Sequence, residues 1–373
     1  MNPIDELRAA RPADLGDRPI DPRTRAAELS RAMSQPRPAR RRRRPARHVW
    51  SLGLAGAAAA VTAVAVVVAT NGTASTARGP DTPASTRQAV TLSAREVLLA
   101  AAARAERQPE GKGGYWHAVS VRRTLFTAAK GGYRVLDQRR DEGWTPSATG
   151  PDQKRWGRMQ SLGARPATEE DRQAWERAGS PTSIEVTVPR KPKPMILKTS
   201  PGRAMTGRSP LTDGDKVFWL GRNVSVKDLR ELPRDPDKLK KRLLSWKGRD
   251  NDVPMQGDGW LFVISAGLIM DMPVTPEVRG AAFRMLAELD DVRVIENVTD
   301  AEGRTGTAVA INEPTIDGGV TEHRLIIDEE IGSALASEDV AVKPRGLQAG
   351  FEPGTMWNSI AVIKAGWTDD KPE

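Results

Sequence analysis

The chain has 373 residues, 38% of them apolar and 28% charged, a formal net charge of +9 and no cysteine. Without cysteine, a disulfide, a CxxC zinc site, a thiol nucleophile and a cysteine lipid anchor are all excluded. Residues 1–50 hold thirteen arginines against six carboxylates, a surplus of seven, which leaves only +2 for the rest of the chain. The isoelectric point near 9.9 therefore makes no case for a nucleic-acid-binding domain.

In chain order, the basic tail comes first, over residues 1–48. Ile4 to Ala10 is weakly amphipathic, and Asp21-Pro22 supplies an N-cap and first-turn proline to a segment ending near Met33. Both are too short to fold alone. Ser51 to Ala69 follows, nineteen residues without a charge. At 1.5 Å per residue it spans about 28 Å, close to the hydrocarbon core of a bilayer. Arg40, Arg41, Arg42, Arg43, Arg44 and Arg47 precede it, Trp50 sits at the expected interface, and residues 70–77 carry no charge. The positive-inside rule then predicts a transmembrane helix over 49–70, with a cytoplasmic N-terminus and an extracytoplasmic remainder at the plasma membrane. The same arginines are placed to meet anionic headgroups of the lipid bilayer. A cleaved signal peptide, with Ser75-Thr76-Ala77 as its small residues, is the competing reading; the long leading segment and long apolar run count against it.

Residues 71–91, rich in Thr, Ala, Ser, Gly and Pro, form a flexible linker. Ser93-Ala94-Arg95-Glu96 reads as a capping box opening a helix with Val97, Leu98, Ala101, Ala102 and Ala105 on its apolar stripe. Strand-like runs follow at Tyr115 to Thr124, Tyr133 to Trp144 and Gln153 to Met159, then a helix at Glu169 to Ala178 and short strands at Ile184 to Val188, Met195 to Leu197 and Lys216 to Leu220. Asp235-Pro236 opens a helix to about Trp246. Gly259 to Met270 is apolar but too short for a second span, so a buried helix is expected. Thr275-Pro276-Glu277 opens another, with Val278, Ala282, Met285, Leu286 and Leu289 at helical spacing. Val292 to Val298, Gly306 to Ile311, His323 to Asp328 and Trp357 to Trp367 read as hairpin-linked strands, with Asp300 to Gly303 as one turn. The expected fold of residues 92–367 is α+β: an antiparallel sheet, a half-barrel being one form of it, with helices on one face.

Several of these pieces resemble an uncharacterised family of actinobacterial single-pass membrane proteins. They are Asp5-Glu6-Leu7-Arg8, the arginine-flanked Ala/Val span, Leu232 to Leu239, Thr275 to Leu289, Val292-Arg293-Val294, Asp300 to Gly303 and Leu325 to Asp328. Members are often encoded beside extracytoplasmic-function sigma factors, so the resemblance implies a regulatory role and a cytoplasmic protein partner for the tail. The sheet-plus-helix order also looks like the half-barrels of lipoprotein carriers and sigma-regulator sensor domains, an analogy of fold alone. The chain departs from zinc anti-sigma factors in having no cysteine and too short a tail.

Chemistry is sparse. His117 and His323 fall in strands outside any HxxxH or HExxH pattern, where packing is the ordinary role for histidine. No nucleophile elbow, SxxK pair or Walker loop occurs, and Gly111-Lys112-Gly113-Gly114 lacks P-loop spacing. Asp213-Gly214-Asp215 and Asp250-Asn251-Asp252 offer oxygens but too few ligands in order for a calcium loop. No enzyme activity, cofactor or metal is expected. Ten tryptophans against five Phe and two Tyr are the unusual feature. Trp116, Trp144, Trp156 and Trp219 are the candidate ligand-face aromatics, set either around a cavity for an acyl chain or peptide, or in a core beneath the helices. The two functional readings are a membrane-anchored sensor or regulator and an envelope carrier holding a hydrophobic ligand.

Overall fold

The structure, a computed structural model, describes residues 93–189, 191, 193–219, 222–247 and 257–371. All of them belong to one compact unit. The expected tail, membrane span and linker, the arginine cluster and the Asp250-Asn251-Asp252 triplet lie outside the described residues. Among those residues no helix is long and apolar enough to cross a membrane.

An eleven-stranded antiparallel sheet forms the body, giving the expected α+β class. Its first half is a meander of β1 (Tyr115–Ala128), β2 (Arg134–Pro146) and β3 (Lys154–Pro166), extended by β6 (Met205–Pro210). The hairpin β4 (Ser183–Thr187) and β5 (Met195–Lys198) joins the far end of β1. Its second half is the meander β9 (Arg293–Thr299), β10 (Thr305–Pro314), β11 (Val320–Asp328), β12 (Ser333–Lys343) and β13 (Thr355–Thr368). Pairing of β1 with β13 fuses the halves, so the strand order runs β6-β3-β2-β1-β13-β12-β11-β10-β9. A separate hairpin, β7 (Lys216–Trp219) and β8 (Arg222–Ser225), stands off this sheet.

The helices gather on one face. They are α1 (Ala94–Ala105), α2 (Glu169–Arg177), α3 (Val226–Arg230), α4 (Pro236–Trp246), α5 (Gly257–Met270) and α6 (Pro276–Leu286). The capping box of α1 forms as expected: Glu96 donates its N–H to the Ser93 hydroxyl at 3.3 Å, and Ser93 donates its own to the Glu96 carboxylate at 2.7 Å. The five residues expected on its stripe are all buried. Helix α5 is buried nearly all round; its fourteen residues reach about 21 Å, short of a bilayer core. Glu106 and Arg284 form a fork that ties α1 to α6, with Gly280 leaving the room it needs.

The main core joins these helices to Val309, Ile311, Leu325, Ile327 and Val362 of the second meander. A smaller core lies under α2, where Tyr133, Val135, Ala164 and Val186 meet Trp175. On the opposite face of the second meander Ala308, Ile326, Leu335, Ala336 and Ala361 form a third. The turn after β9 curls over that face. Arg304 grips Asp300 at 2.5–2.8 Å and donates to the carbonyls of Val362 and Leu335, both at 2.7 Å, while Glu302 pairs with Arg123 at 2.7 Å. The sheet is therefore rolled at this end. At the other, β6 is exposed along all six residues.

Sequence periodicity does not reveal β6, β8, α3 or β12. The first contains Gly207 and ends in Pro210, and β12 carries Ser337-Glu338-Asp339 in its middle. Tertiary partners, not propensity, make these segments strands.

Candidate functional site

The register builds two distinct surfaces on the sheet. On the helix-facing side, His323, Asp339, Asn358, Thr124 and Asp137 stand opposite one another in a single row across β11, β12, β13, β1 and β2. His323 Nδ1 lies 2.8 Å from Asp339 Oδ1, and Asn358 donates to Asp339 Oδ2 at 2.8 Å. Thr124 donates to Asn358 Oδ1 at 3.4 Å. His323 is thus a core histidine held by a carboxylate, with its Nε2 buried and unbonded.

Beside this row Arg122, Arg139, Asp141 and Arg155 share the same side. Arg155 crosses the strand between, where Gly143 leaves space: a Cβ at 143 would stand 3.3 Å from its Nη2. Both Arg122 and Arg155 act on Asp271, the residue after α5, whose carboxyl is enclosed and pushed up to about 6 by burial against their opposing pull. Burial lowers the pKa of each arginine, and Arg139 adds to the effect on Arg122. Charges of both signs thus meet, half-buried, where the sheet joins the helix layer. Among the described residues no group of three or more His, Asp or Glu is placed to hold a metal ion.

The outward face is different. His117, Trp144, Trp156 and Arg208 occupy one row across β1, β2, β3 and β6. His117 stacks on Trp144 with centroids 4.4 Å apart and planes 8° from parallel. The Arg158 guanidinium lies 5.9 Å from the Trp144 ring and that of Arg208 5.6 Å from Trp156. Arg158 also donates to Thr206 on β6 at 3.2 Å. Glu142 accepts from Arg140 at 2.7 Å and lies 3.8 Å from His117. Burial and then Lys364 lower the His117 pKa, against the pull of Glu142. The result is an aromatic strip under basic side chains, open to solvent at Arg208 and Lys154.

The four candidate tryptophans do not share a face. Trp144 and Trp156 lie on the outward row. Trp116 pairs with Thr145 on the opposite side, donates to the Asp271 carbonyl at 2.6 Å and meets Trp367 edge-on at 5.3 Å. Trp219 belongs to the β7–β8 hairpin and packs against the main core. The reason is period 2: residues 116 and 144 stand on adjacent strands whose register sets them on opposite faces. Arg208 escaped the sequence reading, since only the register of an unforeseen strand places it beside Trp156.

Two open cavities flank the sheet. One, of about 470 Å³, is lined by Gly111, Lys112, Gly113, Arg230, Glu231 and Trp367. Its glycines serve packing, because a Cβ at Gly113 would come within 2.5 Å of the Thr368 nitrogen. The other, of about 450 Å³, is lined by Asp258, Asp290, Asp291, Asn312 and Glu313. Asp213 and Asp215 are occupied by Lys216, at 3.0 and 3.9 Å, as an ion-paired turn.

No family model matches the chain. No curated protein matches it either. Among solved structures it is similar to one described as the crystal structure of MucB in complex with MucA(peri), at 11% identity and a TM-score of 0.21. The similarity covers 73% of this chain, which spans 55% of that one. Likeness of this extent carries no inference about fold or partner.

Proposed function

We propose that the chain is a membrane-anchored sensor or regulator without enzymatic activity. Its extracytoplasmic α+β domain binds a partner, and its short basic tail contacts a cytoplasmic protein such as a sigma factor. The observation that carries this reading is the end of the outward row beside an open sheet edge, where the exposed Arg208 lies 5.6 Å from the Trp156 ring and Lys154 is exposed next to it. The anchor and its orientation rest on the arginine-flanked apolar run of residues 51–69.

The carrier reading needs an apolar cavity between sheet and helices. Among the described residues that space is filled by the main core, and charged side chains line both open cavities. A surface reader fits better than a lipid container. The test is co-purification from native membranes with a C-terminal tag, with and without residues 1–39. Loss of a cytoplasmic protein on deletion supports the regulator. Unchanged partners and unchanged expression of neighbouring genes refute the tail's role, and lipid retained by the outer domain revives the carrier.

A further inference from the structure

Strand β6 is the end of the sheet. It pairs with β3 from Met205↔Met159 to Pro210↔Lys154, and among the described residues no strand pairs with its other side. Proteins blunt such edges with bulges, prolines or inward charges. Here the β3–β6 register runs without a shift, and the single proline stands at the strand's end. Six exposed residues, about 20 Å of backbone, offer hydrogen-bonding groups to an added strand.

The side chains beside that edge set its partner's chemistry. The outward rows next to it hold Arg140, Lys154, Arg158 and Arg208, with Lys364 beyond His117, and Glu142 is the one carboxylate among them. Glu142 is already engaged by Arg140. A second copy of this chain is a poor occupant: antiparallel pairing of β6 with itself sets Arg208 of each copy close to the other, and like charges across a strand pair are destabilising. Among the described residues the row of Arg208, which runs through Trp156, Trp144 and His117, holds no carboxylate, so an acidic occupant fits this edge.

We propose that β6 accepts an extended acidic peptide segment of a partner protein as an added antiparallel strand. A carboxylate of that segment meets Arg208, and its backbone pairs with residues 205–210. The neighbouring tryptophans give the cations a fixed position, since Arg208 lies over Trp156 and Arg158 over Trp144. This inference rests on the partner-binding reading above and supplies the chemistry of the partner.

The test uses the full chain in detergent micelles and a fluorescein-labelled twelve-residue peptide alternating glutamate and threonine. Fluorescence anisotropy reads binding, and hydrogen exchange by mass spectrometry locates it. Binding is expected, with slowed exchange in residues 205–210, and Arg208→Glu is expected to weaken it about tenfold. Arg208 is exposed, so the variant folds; Arg208→Gln gives an intermediate loss that separates charge from shape. The same peptide N-methylated at alternate residues keeps its charge and loses the donors that strand pairing needs. Equal binding of that peptide, or protection elsewhere than β6, overturns strand addition. Tighter binding of a single-stranded oligonucleotide of equal charge, or no peptide binding at all, overturns the proposal. None of these results touches the tail-deletion experiment, so a regulator that docks its partner elsewhere remains distinguishable.

Discussion

The indole N–H of Trp116 meets the main-chain oxygen of Asp271 at 2.6 Å, tying strand β1 to the end of α5. There a residue of the first meander holds the helix layer by a directed bond, as the Arg134 N–H does with Asp171 of α2 at 2.8 Å. Trp116→Phe keeps most of the apolar area and leaves that carbonyl without its donor. The expected cost is about 1–3 kcal/mol, read as a lower urea midpoint at unchanged slope.

Asp271 itself predicts a pH dependence. Burial lifts its carboxyl from 3.8 to about 6, so the folded chain keeps a proton that the unfolded chain releases between about pH 4 and pH 6. Stability from this group is therefore lost as pH rises through that window, by about 1–3 kcal/mol. Asp137 and Glu338, also raised by burial, lean the same way, and His117, lowered by burial, leans the other. The readout is accordingly the difference between wild type and Asp271→Asn. That difference should move in the variant's favour from pH 4 to pH 6; a flat difference would show that the two arginines hold the carboxyl ionised.

Arg304 joins the turn after β9 to two further strands, and Asp300 accepts from it within a buried pocket. Arg304→Ala strips both strand carbonyls of a donor and leaves the carboxylate uncompensated, at an expected cost of about 3–5 kcal/mol. Arg304→Lys recovers part of it. In a double-mutant cycle with Asp300→Asn, coupling near zero would assign the turn's stability to its backbone instead.

Gly163 sits at the irregularity between β2 and β3 with φ of +89°, and a Cβ there would lie 2.3 Å from the Thr199 carbonyl oxygen. Gly163→Ala combines a backbone clash with an unfavourable φ. About 2 kcal/mol or more of stability should be lost, measured by thermal unfolding. Gly179→Ala serves as the control: its φ is +86° and the space around it is open, so it reports the conformational cost alone.

How far the sequence speaks can be judged from particular segments. The starts of helices α1 and α6 were legible to the residue, because Ser93 and Thr275 are local capping signals; the ends were overrun, to about Gln108 and Leu289 where the helices stop at Ala105 and Leu286. Strand β12 was not. Its Glu338 and Asp339 look like loop residues until Arg324 on one face and His323 with Asn358 on the other account for them. The tryptophans were legible as unusual but not as a site. Which face each one occupies depends on pairings between distant strands, and a shift of one residue reverses it. Arg208, the cation that completes the outward row, sits in a six-residue stretch without any hydrophobic alternation.

The pairing of β1 with β13 has a further consequence for how the protein is made. Trp116 and Trp367 face each other across that ladder although some two hundred and fifty residues separate them in the chain. As the chain emerges from the ribosome, β1 has no neighbour on that side until the last strand has been synthesised. A truncated product would expose an unmatched strand through the middle of its sheet, a ready substrate for quality-control proteases. Maturation in this way waits on the synthesis of β13, and only a molecule that carries it presents the finished surface.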